Sequence, residues 1–262
     1  MGFLTETVER VRRELDAHPL PDGALLAHAR ALPAAGGFRA AVAAPGVAVI
    51  AEVKRASPSA GAIADADPGE RAARYERGGA AAVSVLTEAR HFGGSLADLR
   101  LARRGTGLPI LRKDFIVHPS QVLEARANGA DAVLLITAAL EDPELVALQE
   151  TAADLGMGCL VEAHSHRDVE RAVASGAQVI GVNARDLETL EVDPARALTL
   201  LGVVPEDRVR VLESGIATRE DVRRAEDAGA GAVLVGEALM RAADPEAKLR
   251  ELLGATEKEP IE

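Results

Sequence analysis

PSQVLEARANGADAVLLI, residues 119–136, holds one whole unit of the pattern that organises this chain. Its first half has the apolar spacing of a helix, and its end is an uninterrupted apolar run of the kind that forms a strand buried on both faces. Gly129 stands between them, where a left-handed residue ends the helix and lets the strand begin. The same junction recurs in GGAAAVSVL (78–86), SGAQVIGV (175–182) and AGAGAVLVG (228–236). Helical patterns such as PELVALQETAADLG, HRDVERAVASG and TREDVRRAEDAG fill the intervals. Their starts carry cap signals: Pro119 then Ser120, Asp142 with Pro143, and Thr218 with Asp221 three residues on. Read this way, strands fall at 47–54, 81–86, 109–113, 131–136, 158–163, 178–182, 209–213 and 232–236. Eight alternating strand–helix units predict an α/β fold, a single closed (β/α)8 TIM barrel over residues 47–254, and not an open doubly wound sheet.

Residues 1–46 stand outside the repeat and predict an N-terminal helical extension. Leu4, Val8, Val11 and Leu15 lie on one helical stripe, and Leu25, Leu26, Ala29 and Leu32 suggest a second short helix before the breaker PAAGG. The stripe needs cover, so the extension is expected to pack on the barrel near the loops after the first and eighth strands and to help close the mouth. The polar tail 255–262, ATEKEPIE, is expected to fray.

Of the 262 residues 48% are hydrophobic and 27% charged, ample for one sizeable core. A formal net charge of −11 argues against sequence-independent nucleic-acid binding, so an anionic substrate needs local positive groups. The lone Cys159, inside an apolar run, excludes a disulfide framework or a cysteine zinc cluster and reads as a small core residue. MGFLTETVERVRREL lacks the apolar stretch of a signal peptide and no run approaches a membrane span, so a cytoplasmic protein with no membrane partner is expected.

Five apolar runs end on charged or amide groups: VAVIAEVK (Glu52, Lys54), LPILRKD (Lys113, Asp114), GCLVEAH (Glu162), VIGVNAR (Asn183, Arg185) and VRVLESG (Glu213). In a parallel barrel these carboxyl ends share one rim, where the fold places its catalytic groups. Glu52 and Lys54, two apart on one strand, face the same way into the mouth. Arg112 and Lys113 are adjacent and must face oppositely, with Lys113 taken as the inward one. Asn183 and Arg185 repeat the two-residue spacing, although Arg185 stands close to the loop. The competing reading is a set of structural ion pairs under the loops, weakened by the cost of burying so many charges without use. Ser214-Gly215 after the seventh strand and Gly236 after the eighth put backbone N–H groups where this fold cradles phosphate, unless the glycines only permit tight turns. With four Phe, one Tyr and no Trp, Phe92 and Phe115 at the rim are placed to meet an aromatic group, with ordinary loop packing as the alternative.

These residues resemble those of the indole-3-glycerol phosphate synthase family. The carrying segments are IAEVKRASPS (50–59), SVLTEARHFGGSLADL (84–99), LPILRKDFIV (108–117), LVEAH (160–164), GVNARDL (181–187), ESGI (213–216) and LVGEALM (234–240). They run in the family's order over nearly the whole chain, together with an N-terminal extension; GVNARDL and ESGI are the less specific pieces, since other phosphate-binding barrels carry similar ones. The chain departs from the family at His91 and Gly93, where an aromatic and a Gln are common, at His118 for Asp, Ser120 for Tyr and Ala184 for Asn. None of these is a charged site residue.

The resemblance implies a lyase of tryptophan biosynthesis that closes 1-(2-carboxyphenylamino)-1-deoxyribulose 5-phosphate to indole-3-glycerol phosphate with loss of carbon dioxide and water. By that resemblance Lys113 is the general acid of ring closure, and Glu162 and Glu52 assist proton transfer in dehydration. Lys54 holds the substrate carboxylate or phosphate and is a candidate second acid. Asn183 and Arg185 orient substrate hydroxyls and the lysines, and Glu213 tunes the charges. Ser57, Ser59, Ser214, Gly215 and Gly236 line the anion sites, with Phe92, Phe115 and Leu234 among the substrate contacts. No metal and no cofactor are implied, and His164 and His166 read as surface or supporting groups. The expected partner is a small phosphorylated molecule, and the expected state a monomer or weak homo-oligomer. Two other readings stay open: a Schiff-base lyase using Lys54 or Lys113 as nucleophile, and a catalytically silent phosphate-binding barrel.

Overall fold

The apolar runs form strands because each is buried on both faces, against the barrel interior on one side and helices on the other. In a computed structural model, which describes residues 2–57, 61–62 and 66–255, the strands are β1 (Ala48–Val53), β2 (Ala82–Leu86), β3 (Ile110–Lys113), β4 (Ala132–Ile136), β5 (Gly158–Ala163), β6 (Val179–Asn183), β7 (Val209–Glu213) and β8 (Ala232–Val235). Each pairs in parallel with its neighbour in sequence, and Ala48 opposite Ala232 closes the barrel. The predicted (β/α)8 barrel is therefore the fold.

Before β1 come α1 (Phe3–Ala17), α2 (Asp22–Ala31) and α3 (Phe38–Val42). The barrel carries α4 (Pro68–Arg77), α5 (Ala89–Phe92), α6 (Leu96–Gly105), α7 (Pro119–Ala127), α8 (Asp142–Asp154), α9 (His166–Ala174), α10 (Pro194–Leu201), α11 (Arg219–Asp227), α12 (Glu237–Arg241) and α13 (Pro245–Leu253). A two-residue antiparallel ladder, Ala56–Ser57 with Gly61–Ala62, follows β1.

At the repeated junction Gly79, Gly129, Gly176 and Gly229 all have φ between +84° and +94°, so the repeat in sequence is a repeat of one backbone turn. The cap of α7 lies one residue earlier than the sequence suggests. His118 Nδ1 accepts from Ser120 N at 3.2 Å, with Pro119 as the first helical residue. His118 thus performs the capping that a carboxylate performs elsewhere. Likewise Glu141, not Asp142, caps α8, its N–H donating to Glu144 Oε2 at 2.9 Å. Thr218 and Asp221 form the reciprocal box that their spacing predicts.

Among the described residues, α1 buries Leu4 and Val8 and makes its ion-pair, hydrogen-bond and ring contacts over the loops after β2, β3, β4 and β6. Its flanking arginines decide this: Arg10 pairs with Glu88 at 2.7 Å and Arg12 with Glu144 at 2.8 Å, while Thr5 Oγ1 donates to Glu188 at 3.5 Å. The Phe3 ring meets Phe115 edge-on, centroids 6.1 Å apart. α2 packs on α7. α3, which the sequence did not announce, buries Phe38 and Val42 completely. Phe38 sits against Gly158 at the amino end of β5, where a Cβ would come within 3.3 Å of it, so α3 plugs the barrel at the end opposite the mouth. Cys159 is half-buried against the core. No helix among the described residues is long and apolar enough to cross a membrane.

Candidate active site

Strand alternation sorts the rim residues into two sets. Arg112 turns outward, donating to the Gln121 carbonyl at 3.0 Å and pairing with Glu124 at 2.9 Å and Asp114 at 3.1 Å. Asp114 is thereby tied to Arg112 and to Thr87 Oγ1 at 2.5 Å, and it fixes the turn by accepting from Phe115 N at 2.9 Å. Lys113 turns inward and its Nζ stands 2.7 Å from Glu213 Oε2 and 3.5 Å from Glu162 Oε2. At the end of β1, Glu52 Oε1 and Lys54 Nζ pair at 3.0 Å. Asn183 donates through Nδ2 to Glu162 Oε2 at 3.1 Å and accepts from Ser214 Oγ at 2.8 Å and Arg185 N at 3.0 Å. Glu52, Lys54, Lys113, Glu162 and Asn183 thus line one cavity of about 510 Å³, with Glu213 fully buried behind Lys113.

Three carboxylates and two ammonium groups leave this cluster short of one positive charge. Burial pulls the Lys113 ammonium down, but Glu213, Glu162 and Glu52 together outweigh it and hold the lysine above its ordinary value. Burial likewise raises Glu213, Lys113 opposes that, Glu162 adds to it, and the carboxyl ends at about 7. Lys113 is therefore a protonated donor at neutral pH, beside a carboxyl able to hold or release a proton there. Two glycines make room for the carboxylates. A Cβ on Gly181 would overlap Oε1 of Glu213, and one on Gly236 would overlap Oε1 of Glu52 and lie 3.0 Å from Lys54 Nζ.

One side of the cavity carries glycine turns and positive side chains. Ser214 and Gly215 follow β7 with φ of +69° and +75°, Gly236 precedes α12, and Lys54, Arg185 and Arg241 line the same cavity. Arg185 also donates to the Leu190 carbonyl at 2.9 Å, which ties down the loop after β6. The other side is apolar: Phe92, Phe115, Leu134 and Leu234 are joined by Phe3 from α1. Ser57 lies on the short ladder after β1, and Ser59 lies outside the described residues.

Phe3, Arg241 and Gly181 are cavity or clearance residues that the sequence reading did not select. Phe3 is one of only four Phe and opens a helix, which was the available signal. For Gly181 there was none, since only the Glu213 side chain explains it. His166 is exposed at the start of α9, whereas His164 is half-buried with its ring nitrogens shielded from water, its Nε2 3.4 Å from Glu162 Oε1. His164 is therefore not a surface group.

A barrel whose mouth joins buried lysine–carboxylate pairs, glycine turns and an apolar wall is an enzyme of the general acid–base class, shaped for a substrate with an anionic end and a flat apolar end. Comparison with known proteins narrows the class. The family model of indole-3-glycerol phosphate synthase matches residues 4–252. The indole-3-glycerol phosphate synthase of Micrococcus luteus is 50% identical, over 98% of this chain and 98% of its own, and that of Rhodococcus opacus is 49% identical, over 97% and 96%. The chain belongs to the indole-3-glycerol phosphate synthase family. Among solved structures, a 3-hexulose-6-phosphate synthase superposes with a TM-score of 0.64 at 16% identity, covering 80% of this chain and 99% of that one. A thiamine phosphate pyrophosphorylase from Pyrococcus furiosus gives 0.59 at 18%, covering 80% and 94%. Those two likenesses concern the fold alone.

Proposed function

We propose that this site performs its family's reaction, converting 1-(2-carboxyphenylamino)-1-deoxyribulose 5-phosphate to indole-3-glycerol phosphate, carbon dioxide and water. The observation that carries the reading is Lys113: a protonated ammonium held among Glu213, Glu162 and Glu52 in a cavity with one end lined by positive groups and one aromatic end. The substrate phosphate goes to the glycine turns at Gly215 and Gly236, and the aryl ring to Phe92, Phe115, Leu234 and Phe3. The ring carbon bearing the carboxylate attacks the ribulose carbonyl, and Lys113 delivers a proton to its oxygen as the carbon–carbon bond forms. Loss of carbon dioxide returns the bonding electrons to the ring. The new hydroxyl then leaves as water with a proton from an acid, Lys54 or Lys113, while a carboxylate, Glu162 or Glu52, takes the proton from the neighbouring carbon. Atoms balance: one carbon dioxide and one water leave.

Asn183 and Arg185 orient substrate hydroxyls, and Glu213 sets the charge on Lys113. The Schiff-base alternative asks Lys113 to be a neutral amine, which its carboxylate surroundings oppose. A silent scaffold gives no reason to gather two half-buried lysines and three buried glutamates at one mouth. The same reading makes the partner a small phosphorylated molecule, with no nucleic acid, membrane or cofactor, in a cytoplasmic monomer or weak homo-oligomer. The test is direct: purified protein mixed with the anthranilate-derived ribulose phosphate develops indole fluorescence under this reading. Its absence, with a folded protein, refutes it.

A further inference from the structure

One half-buried side chain beside the reacting groups has no part in the chemistry above. His164 is the first residue beyond β5, two after Glu162, so strand alternation turns its ring to the side of that carboxylate. Its backbone is held on both sides: its N–H donates to Asp168 Oδ2 at 3.2 Å, and its carbonyl accepts from Arg196 Nη1 at 2.7 Å. The ring cannot drift far. Nε2 stands 3.4 Å from Glu162 Oε1, and both ring nitrogens are shielded from water with no hydrogen bond made. Buried polar atoms are costly in that condition, so a partner one small adjustment away carries meaning.

Glu162 supplies the partner. Its Oε2 receives Asn183 Nδ2 at 3.1 Å and faces Lys113 Nζ at 3.5 Å, while Oε1 faces His164. The charged groups facing the ring are Glu162 itself, Glu213 on β7, Asp168 on α9, Lys113 on β3 and Arg196 on α10. Burial is the strongest of the influences on the ring and holds it below the usual histidine range. A neutral ring keeps one N–H and can place it on Nε2.

We propose that His164 is a positioning residue for Glu162, donating from Nε2 to Oε1 and so holding the carboxylate with Oε2 turned toward Lys113 and the reacting carbons. The inference rests on the proton-transfer role given to Glu162 above. Oε1 is then occupied by the protein, and the proton taken from substrate in dehydration goes to Oε2. A histidine between an acid-base glutamate and the barrel wall fixes which oxygen reacts.

The test compares His164→Leu, His164→Gln and Glu162→Gln with the unmodified enzyme, measuring kcat and KM across pH and thermal melting of each. H164L keeps the bulk and removes the donor. It is expected to lower kcat about ten- to a hundred-fold, the span of one hydrogen bond to a charged group, with KM changed by less than about threefold. The acid-side fall in its kcat–pH profile moves to higher pH, because the ionised carboxylate has lost a donor. H164Q, whose amide nitrogen reaches close to the place of Nε2, restores most of the turnover and the profile. Should H164L melt too low to assay, H164Q decides alone: retained turnover and profile support the role, and loss with an intact fold overturns it. H164L with unchanged kcat and profile overturns it, as does H164Q equally impaired while both remain folded. E162Q separates the levels. An inactive E162Q beside fully active His164 variants overturns the role of His164 and leaves that of Glu162; a fully active E162Q overturns both.

Discussion

Gly236→Ala tests whether the glycine after β8 serves the phosphate alone or the acid–base cluster as well. Gly236 has φ −117°, which alanine can adopt, so the substitution meets no left-handed strain. What it meets is the β1 ion pair. The new methyl would overlap Glu52 Oε1 and lie 3.1 Å from Glu52 Cδ and 3.0 Å from Lys54 Nζ. Carbon contacts settle at about 3.5–4.0 Å, so the carboxylate has to move by roughly 0.5–1 Å. A misplacement of ~1 Å in a catalytic group costs on the order of a hundredfold. Overpacking adds about 1–3 kcal/mol of instability. The expected result is therefore a loss of kcat of about ten- to a hundred-fold, alongside a higher KM, in a protein that still folds. The assay is steady-state indole formation with the melting temperature measured beside it. A glycine that only cradles phosphate predicts weaker affinity with turnover intact, and that result would refute the clearance argument.

Lys113→Met should also leave a pH signature on stability. The folded-state value of Glu213, about 7, lies above the ordinary carboxylate value, so its contribution is present at low pH and is lost as pH rises through about 7. Removing Lys113 takes away the cation that opposes this, so the variant's melting temperature should trail the unmodified enzyme by roughly 5–10 °C near pH ~8 and much less near pH ~5; a gap that does not change with pH contradicts it. Phe3→Ala should raise KM about two- to tenfold with kcat nearly unchanged, as an aromatic contact supplied from α1 would; unchanged KM would remove α1 from the substrate wall. Inorganic phosphate should compete with substrate at the turns of Gly215 and Gly236, raising apparent KM at constant kcat. Inhibition that lowers kcat instead would place the anion elsewhere.

The barrel was legible because two signals agree along the chain: apolar runs too continuous for half-exposed strands, and a glycine junction whose common backbone turn recurs at Gly79, Gly129, Gly176 and Gly229. The rim groups were legible as polar residues ending those runs, where nothing but a shared mouth unites them. Less could be read where contacts are distant in sequence. The stripe of α1 says that a face is covered, but only Glu88 and Glu144, far along the chain, say where. The plug formed by Phe38 depends on the space left by Gly158, which no local pattern encodes. Gly181 and Gly236 look like turn or strand glycines until the carboxylates of Glu213 and Glu52 are in place. His164 shares the two-residue spacing of Glu52 and Lys54, yet the 3.4 Å approach of its ring to Glu162 shows only in the folded chain.

The central claim is that Lys113 is the acid that protonates the carbonyl oxygen as the ring closes, and the measurement that tests it most directly is turnover of Lys113→Met beside equilibrium binding of a substrate analogue. The account predicts a loss of turnover of about a hundred- to ten-thousand-fold with little change in binding, since the donor acts in the transition state. Near-normal turnover, or a loss explained entirely by failure to bind, would contradict it and move the acid's role to Lys54, paired with Glu52 at 3.0 Å at the end of β1.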